Sequence, residues 1–343
     1  MNEVSIPRFS QLRVAVVGDL VADHYIFAEP RRLSREAPVM VLRHKDERIG
    51  AGGAANVARN LRALDSQVSV FGAVGRDAHG RELKKKLEEE GMDLAGVVSD
   101  PTWLTPTKTR ILAAEARRFP QQVLRIDRES DGPVSPVTQR DVARKLMKRM
   151  DDLDALLISD YAYGLVGEQL AEVARAFAQA GKVVVLDPRK QLDGFEGISA
   201  VTPNIGELAQ FTNRAPEDLD DVGELRAVAD AFLKRMGSRY LLVTRGNLGM
   251  ALFGGEAGFE GVAVQASGAS EVTDVSGAGD SAASVFALSL AAKESATAAM
   301  VLANTASGVV VMENGTAVCT RDQLTEALRN SPAPTPLERA EVE

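Results

Sequence analysis

Short apolar runs alternate with amphipathic segments along most of the chain. Five predominantly apolar runs predict buried strands at 14–17, 68–74, 155–158, 183–186 and 240–243. Apolar residues recur at helical spacing between most of these runs, as Val57, Leu61 and Leu64 do. This alternation predicts an α/β fold with a doubly wound, mostly parallel sheet flanked by helices. Because such sheets bind ligands beyond the carboxyl ends of their strands, the residues that follow each strand are the first candidates for function.

Two long connections interrupt the alternation. Segments 24–49 and 106–128 are longer than ordinary connections, and both contain strand-like residues. They predict a small β-sheet that projects from the main domain as a lid, with two surface hairpins as the alternative. We expect one domain over residues 1–330 and a disordered tail over residues 331–343, where prolines alternate with polar and acidic residues.

The strongest chemical signal is Asp274-Val-Ser-Gly277-Ala278-Gly279-Asp280-Ser281, which leads directly into a helical stretch. Backbone N–H groups of Gly277, Ala278 and Gly279 at a helix N-terminus predict an anion cradle. A carboxylate beside such a cradle, here Asp280, suits phosphoryl transfer, because a base must take the proton of the acceptor hydroxyl. A helix-capping Asp after a glycine turn is the alternative interpretation.

A second glycine cluster, Gly50-Ala-Gly52-Gly53-Ala-Ala-Asn56, also leads into a helix. Both clusters match the spacing of dinucleotide-binding loops, so an oxidoreductase is one alternative. The polar residues 44–48 before this cluster do not form a buried strand, which argues against that alternative. The competing hypothesis is a polyhydroxylated ligand that approaches Gly52, Gly53 and Asn56. Its hydroxyls would donate to the two acids that follow the first strand, Asp19 and Asp23.

Polar residues also follow three later strands. They are Asp187-Pro188-Arg189, then Thr202-Pro203-Asn204 with Glu207, and then Thr244-Arg245-Gly246 with Gly249. The spacing of Asn204 and Glu207 predicts a hydrated Mg²⁺ near phosphate oxygens, with a turn and an ordinary first-turn acid as the alternative. The three histidines, His24, His44 and His79, have no metal-ligand spacing.

Composition narrows the class of partner. The 40 basic and 48 acidic residues give a net charge of −8, which argues against nucleic acid or an anionic membrane as a partner. Cys319 is the only cysteine, so neither a disulfide framework nor a thiolate metal site is available. We therefore expect a cytoplasmic protein without a membrane span. A small anionic ligand remains compatible, because a binding site is local.

In this order the motifs resemble the ribokinase-like (PfkB) family of sugar kinases over residues 13–330. Residues 50–64 resemble its first signature, and residues 274–281 resemble its second. Within the family, Leu-Ser-Arg-Glu-Ala-Pro-Val at 33–39 and Ser-Asp-Tyr-Ala at 159–162 are similar to heptose-7-phosphate kinases of lipopolysaccharide core synthesis. The resemblance implies a ribokinase-like fold and a homodimer formed through the β-lid. It also implies transfer of the γ-phosphate of ATP to the anomeric hydroxyl of D-glycero-D-manno-heptose 7-phosphate.

The same resemblance assigns roles to residues. Asp280 is the implied general base, and Gly277, Ala278 and Gly279 stabilise the transferred phosphoryl group. Residues implied to bind the sugar phosphate are Asp19, Asp23, Gly52, Gly53, Asn56, Lys108 and Arg110. Residues implied to bind ATP are Asn204, Glu207, Thr244, Arg245, Gly246, Gly249 and Asn304. Glu207 is the implied residue for Mg²⁺, and Asp274 matches a ligand of a monovalent cation such as K⁺ in some members.

Two departures from the heptose kinases keep other functions open. Tyr163 replaces a lysine of those kinases, and residues 115–120 resemble an insertion in the lid. If that lysine held the sugar phosphate, a nearby basic residue must replace it, and the candidates are Lys108, Arg110, Arg125 and Arg189. A kinase for fructose, ribose or a sugar acid is therefore an alternative, and so is a sugar-binding protein without catalytic activity.

Overall fold

The computed structural model describes residues 4–114, 120–255, 261–268, 273–313 and 315–337. Within these ranges the strands are, in chain order, β1 (Arg13–Gly18), β2 (Leu20–Leu33), β3 (Met40–Gly53), β4 (Gln67–Gly75), β5 (Asp93–Asp100), β6 (Thr107–Ala113), β7 (Gln121–Arg128), β8 (Ala155–Ser159), β9 (Val183–Asp187), β10 (Ala200–Val201), β11 (Tyr240–Thr244), β12 (Met250–Gly254), β13 (Val262–Val264) and β14 (Thr335–Pro336). The α-helices are α1 (Ala54–Ala63), α2 (Ala78–Glu89), α3 (Pro136–Lys148), α4 (Glu168–Gln179), α5 (Ile205–Thr212), α6 (Val222–Met236), α7 (Ala278–Ala291), α8 (Ala296–Val310) and α9 (Arg321–Leu328).

Ten of these strands form one sheet, in the order β14-β13-β12-β11-β10-β9-β8-β1-β4-β5. The strands from β11 to β5 in this order are parallel. Strands β12, β13 and β14 extend the β11 edge in antiparallel fashion. With helices on both faces, this arrangement confirms the predicted doubly wound, mostly parallel α/β fold. The carboxyl ends of the parallel strands meet along one edge, where the candidate site lies.

Alternate residues of the central strands supply two hydrophobic cores. On β1, Val14 and Val16 pack with α1, α2, α7, α8 and α9, whereas Ala15 and Val17 pack with the helices from α3 to α6. Burial on both faces explains why these strands appear in the sequence as continuous apolar runs. Every residue of α7 from Asp280 to Ser289 is buried, so the core holds the start of this helix in place. In the part of the chain that the structure describes, no helix is long and apolar enough to cross a membrane.

The remaining four strands form a second sheet in the order β3-β2-β6-β7. Strand β2 continues almost directly from β1, so the second sheet grows out of the centre of the large one. Its pairs are antiparallel except for β2 and β6, which are parallel. Strand β7 is exposed at every residue. These strands fall within or next to the two segments expected to form a lid. We call this four-stranded sheet the lid, and we call the ten-stranded sheet with its helices the body.

The C-terminal segment differs from the expected disordered tail. Thr335 and Pro336 form β14, which pairs with Ala263 and Val262 of β13, and the Leu337 side chain is buried against Phe253 and its neighbours. Burial of an apolar side chain offsets the entropy lost by ordering this short segment. Residues 338–343 of the expected tail lie outside the described residues.

Candidate functional site

The carboxylate of Asp280 lies in the first turn of α7, where only 3% of the residue is exposed. Its Oδ2 accepts a hydrogen bond from Asn56 Nδ2 at 2.7 Å, and its Oδ1 accepts one from the Tyr161 hydroxyl at 2.7 Å. Burial raises the pKa of Asp280 to about 6, while the two hydrogen bonds act in the opposite direction. The carboxylate is therefore largely ionised at pH 7 but close to its pKa, which suits a general base.

Helix α7 begins immediately after Gly277, whose backbone has a φ of +83°. A Cβ atom at this position would lie 2.7 Å from Asn56 Nδ2, so glycine is required both by conformation and by space. The N–H of Ala278 donates to the Val275 carbonyl at 3.3 Å. The N–H groups of Gly277 and Gly279 have no protein acceptor among the described residues. These two amides therefore remain available for the predicted anion cradle.

Asp19 lies at the end of β1, but its carboxylate does not reach the other predicted sugar-binding side chains. It accepts hydrogen bonds from backbone N–H groups of the loop after β8, those of Tyr161 (2.9 Å), Tyr163 (3.1 Å) and Leu165 (3.2 Å). Burial raises the pKa of Asp19 to about 6, against the effect of these amides. The contacts of Asp19 thus tie the loop that carries Tyr161 to the centre of the sheet.

Asp23 and the glycines of the second cluster, Gly52 and Gly53, do lie together, near Asp280. Asp23 is 2% exposed and forms an ion pair with Arg110 of the lid at 2.5 Å. A Cβ atom at Gly52 would lie 2.6 Å from Asp23 Oδ2, so glycine here makes room for the carboxylate. Gly53 is the N-cap of α1, the helix that carries Asn56. Asn56 is fully buried, and its Oδ1 has no hydrogen-bond partner in the described structure.

The face of the lid that turns toward the body is basic. Tyr25 pairs with Arg48 on one side and with Arg110 on the other, and Arg110 pairs with Arg125. Since cross-strand partners project to the same face, the three arginines form one row. Both Arg48 and Arg110 contact the Tyr25 ring, with guanidinium carbons 5.7 Å and 5.4 Å from its centroid. Lys108, two residues before Arg110, lies on the same face.

Lys108 is a lid cation whose charge acts on the Asp280 carboxylate. Its Nζ lies 5.3 Å from the centroid of the Tyr161 ring, and its charge acts on both Asp23 and Asp280. Burial lowers the pKa of Lys108, and Asp23 opposes this change. Arg110, Arg125 and Arg189 are each paired with a carboxylate, those of Asp23, Asp127 and Glu207 respectively. Among the described residues Lys108 has no such partner, which leaves its ammonium available for an anion.

A cavity of about 940 Å³ separates the lid from the body. Tyr25, Arg48 and Arg110 line it on the lid side, and Asp274 and Gly315 line it on the body side. Arg59 and Lys86 add two more cations to its wall, although both of these are paired with Glu90. The excess of basic side chains makes this cavity suitable for an anionic small molecule, despite the negative charge of the whole protein.

Asn204 and Glu207 form a capping box at the start of α5. Asn204 Oδ1 accepts from the Glu207 N–H at 2.9 Å, and Glu207 Oε2 accepts from the Asn204 N–H at 2.9 Å. Glu207 Oε1 also accepts from Arg189 Nη1 at 2.8 Å. Because both oxygens of Glu207 already have partners, the carboxylate suits a cation that keeps its water ligands better than one bound directly.

The predicted nucleotide residues after β11 lie next to this capping box. Thr244 forms an isolated parallel bridge with Asn204, and the Arg245 N–H donates to the Gly249 carbonyl at 2.8 Å. Gly246 begins the short 3-10 turn that joins them. Asn304 of α8 donates from Nδ2 to the Gln265 carbonyl at 2.8 Å and is 3% exposed. The contacts therefore bring Asn204, Glu207, Thr244, Arg245, Gly246 and Gly249 together, whereas Asn304 supports the chain just beyond β13.

Asp187, at the end of β9, was identified in the sequence only as a polar strand end. Burial, together with the charges of Asp280 and Glu207, raises its pKa well above the usual range, although the Thr202 hydroxyl donates to its Oδ1 at 2.9 Å. The negative charges of Asp280 and Glu207 thus act on Asp187 from α7 and α5. Oxygen ligands of this kind fit Mg²⁺, although no group of three acids, histidines or cysteines in the described part of the chain is placed to hold a metal ion without further ligands.

Asp274 joins the two loops that flank the start of α7. Its Oδ1 accepts from the Ser276 N–H at 2.9 Å, and its Oδ2 accepts from the Gly315 N–H at 3.0 Å. Although burial acts to raise it, the pKa of Asp274 is lowered by these hydrogen bonds. The carboxylate is therefore ionised at neutral pH. An ionised carboxylate is chemically suited to a monovalent cation, as predicted for this position.

Tyr161 is the functional candidate that sequence reasoning did not assign. It belongs to the Ser-Asp-Tyr-Ala stretch at 159–162 used for the resemblance, but its contact with Asp280 joins residues 119 positions apart. Only a fold that places the loop after β8 against the start of α7 makes this contact. A polar aromatic residue directly after a buried parallel strand was the available signal.

Comparisons with known proteins identify the family to which the chain belongs. The family described as "pfkB family carbohydrate kinase" matches residues 11–323. A protein named bifunctional protein HldE from Desulfatibacillum aliphaticivorans is 37% identical over 334 residues, which are 97% of this chain and 66% of that protein. The HldE of Gluconobacter oxydans is 38% identical over 319 residues, 92% of this chain and 64% of that protein. The chain thus spans just under two thirds of the length of these curated relatives.

Solved structures share the fold at lower sequence identity. Arabidopsis thaliana ribokinase in complex with ribose and ATP has a TM-score of 0.69 and 22% identity, over 93% of this chain and 98% of that one. Phosphofructokinase-2 from Escherichia coli in complex with potassium has a TM-score of 0.75 and 19% identity, over 95% of this chain and 99% of that one. The fold is therefore ribokinase-like, as the resemblance implied.

Proposed function

The chain belongs to the pfkB family of carbohydrate kinases, and from this premise we propose that it transfers the γ-phosphate of ATP to the anomeric hydroxyl of D-glycero-D-manno-heptose 7-phosphate. The observation that carries the proposal is the buried Asp280, held by Asn56 and Tyr161, beside the free amides of Gly277 and Gly279. The similarity of residues 33–39 and 159–162 to heptose-7-phosphate kinases supports this particular sugar.

The proposed reaction is an in-line displacement at the γ-phosphorus. As the anomeric oxygen forms its bond to phosphorus, its proton moves to the carboxylate of Asp280, and the bond from phosphorus to the bridging oxygen of ADP breaks. The amides of Gly277 and Gly279 stabilise the negative charge on the phosphoryl oxygens. A pKa of about 6 supports this role, because the carboxylate is ionised at pH 7 and still accepts a proton readily.

The sugar would lie between the lid and the start of α1. Asn56 Oδ1 is a buried acceptor without a partner, so a sugar hydroxyl would supply the missing donor. Glycine at positions 52 and 53 leaves room for the Asp23 carboxylate and the Asp19 carbonyl, and the buried Asp23 is a further acceptor for a sugar hydroxyl. Lys108 and Arg110 on the lid are the cations nearest to this position and would bind the phosphate of the sugar.

ATP would lie along the ends of β10 and β11, with its γ-phosphate directed at α7. Thr244, Gly246 and Gly249 are placed there beside Asn204. Asp187 and Glu207 would hold Mg²⁺, Glu207 through water, and the bound ion supplies positive charge to the phosphate oxygens. We extend the proposal to K⁺ near Asp274, whose ionised carboxylate faces both flanking loops.

The exposed face of the lid supports the proposed homodimer. Leu124 and Ile126 of β7 are 53% and 51% exposed, and Leu124 pairs with Ile111, which in turn pairs with Ile26. An aliphatic row of this kind is unfavourable in water and favourable against a second copy of the same surface.

A substrate screen tests the proposed function. The protein with Mg·ATP would be offered D-glycero-D-manno-heptose 7-phosphate, fructose, fructose 6-phosphate, ribose and a sugar acid, with ADP release as the readout. We expect the heptose 7-phosphate to give the highest kcat/KM and a 1,7-bisphosphate product. Faster turnover of an unphosphorylated sugar would contradict the proposed substrate but still support the assignment as a sugar kinase. An absence of turnover with every sugar would favour a sugar-binding protein without catalytic activity.

A further inference from the structure

Tyr161 differs from the other polar residues near Asp280 because the sequence analysis assigned it no role. Its side chain contacts two other parts of the chain. The hydroxyl donates to Asp280 Oδ1 at 2.7 Å, and the ring faces the Lys108 ammonium at 5.3 Å. Its own N–H donates to the buried Asp19 carboxylate at 2.9 Å. The tyrosine is therefore fixed at its backbone, along its ring and at its hydroxyl.

The loop that carries Tyr161 is held unusually firmly for a connection. Asp19 accepts three amides of this loop, and Asp160 accepts four more, those of Ala162, Arg189, Lys190 and Gln191. Two carboxylates thus fix the loops after β8 and β9 to each other and to β1. Such anchoring leaves the Tyr161 side chain little freedom, so the position of its hydroxyl is defined before any substrate arrives.

We propose that Tyr161 is a positioning residue for the general base: its hydroxyl holds the Asp280 carboxylate in one orientation and stabilises its ionised form. This inference rests on the proposed function, in which Asp280 takes the proton of the acceptor. Asn56 holds the other carboxylate oxygen, so the two donors together fix the plane of the carboxylate. Without Tyr161, Asp280 would keep only one donor and could rotate away from the line of attack.

The charged and hydrogen-bonding groups around Asp280 determine in which direction its pKa moves when the Tyr161 hydroxyl is removed. Asp23 from β2 and Asp187 from β9 act against ionisation of Asp280, whereas Lys108 from β6 and the donors Asn56 and Tyr161 favour it. Burial and the charge of Asp280 raise the pKa of Tyr161 well above its usual value, so the phenol stays a donor across the working pH range. Removal of the hydroxyl should therefore move the pKa of Asp280 upward.

The experiment compares the wild-type protein with Tyr161→Phe, and Tyr240→Phe at the far end of β11 serves as the matched control. The Asp280 carboxyl carbon is titrated by ¹³C NMR in the absence of sugar and nucleotide, and its signal is assigned by its loss in Asp280→Asn. We expect the midpoint to move to higher pH in Tyr161→Phe and to stay unchanged in Tyr240→Phe. An Asp280 midpoint that is the same in all three proteins would overturn the proposal.

Turnover gives the second measurement. Loss of a hydrogen bond to a charged group predicts a kcat about 10-fold lower in Tyr161→Phe, with the acid limb of the pH profile moved in the same direction as the NMR midpoint. In an Asp280→Asn background the same change should lower kcat no further, because Tyr161 acts through Asp280. Independent, multiplying losses would show a separate role and contradict the proposal.

A third measurement covers the case in which Tyr161→Phe fails to fold. Replacement of the tyrosines by 3-fluorotyrosine makes the phenol a stronger donor without removing it, so the Asp280 midpoint should move to lower pH. The NMR titrations need no substrate. A sugar screen without turnover would therefore overturn the proposed function, while the titrations would still test the role of Tyr161.

Discussion

The two halves of the candidate site carry opposite charge and are built differently. The body supplies carboxylates, Asp187, Glu207 and Asp280, from the ends of strands and helices that are buried on both sides. The lid supplies mainly cations, chiefly Lys108 and Arg110, with Asp23 as the ion-pair partner of Arg110, from a sheet that is open to solvent on its outer edge. In the proposed function, the rigid half holds the groups that perform chemistry, while the open half holds the groups that recognise an anion.

This division has a physical reason. A base must be held within a fraction of an ångström and needs a low-dielectric setting to raise its pKa, and only the packed body provides both. Phosphate recognition tolerates movement, because long cationic side chains adapt to a diffuse charge. In the proposed function, a sheet above the strand ends would also admit the sugar and then exclude water. We therefore expect changes in the body to alter kcat and changes in the lid to alter KM.

The largest effect is expected from the body. Asp280→Asn removes the proton acceptor and should lower kcat by about 10²–10⁴-fold, with the KM for ATP little changed. Steady-state kinetics measures both constants, and Asp193→Asn, which alters an exposed carboxylate paired with Arg235, is the control. An Asp280→Asn variant with normal turnover would exclude this residue as the base and remove the distinction between the halves.

The same substitution should reveal the stability cost of a buried base. The folded state raises the pKa of Asp280 from 3.8 to about 6, so the folded protein binds this proton more tightly than the unfolded chain does. Ionisation therefore destabilises the fold progressively from about pH 4 to pH 6, by about 3 kcal/mol above pH 6. Asp280→Asn should raise the melting temperature at pH 8 and lose this advantage near pH 4. A gain that does not depend on pH would contradict the explanation.

Replacement of two lid cations tests the role in phosphate recognition that is proposed for the lid. Lys108→Met and Arg110→Met each remove one proposed contact to the sugar phosphate and should raise the KM for it about 10-fold, with the KM for ATP unchanged. Arg43→Met, which removes a cation near the lid tip, is the matched control. If an unphosphorylated sugar were the substrate, these variants would leave its KM unchanged, and the lid would have another role.

The smallest catalytic effect is expected from the outer face of the lid. Leu124→Ser and Ile126→Ser together should shift the proposed homodimer toward the monomer in sedimentation experiments, with kcat within about 2-fold of wild type because neither side chain reaches the site. Val137→Ser, a similarly exposed change on α3, should leave the association state unaffected. If the wild-type protein were monomeric at every concentration, the proposed homodimer through the lid would be excluded.

The sequence predicted the body better than the lid or its edges. Strands buried on both faces, such as β1 and β8, appear as continuous apolar runs that need no partner to be recognised. Strand β13 has three residues, and β5 is mixed in burial, so neither carries a clear pattern. These two strands were missed for this reason. The lid could be inferred only from two connections that were too long.

Site residues were predictable where local sequence decides their role. Gly277 and Asp280 lie in one turn, and their chemistry follows from that turn. Asp19 and Asp23 appear equivalent in the sequence, but only Asp23 contacts the lid, whereas Asp19 accepts amides from a loop more than 140 residues away. The roles proposed for Tyr161 and Asp187 depend on contacts between distant segments. Such roles are set by the packing of the sheet, which no short motif records.

Pro336 in β14 has a consequence for solubility. It pairs with Val262 at the outermost edge of the ten-stranded sheet, and proline has no N–H to offer a further strand. The segment therefore closes an edge that could otherwise recruit another chain. A protein cut before residue 331 would expose the apolar strand β13 in its place, and its first failing should be aggregation, with the catalytic groups still intact.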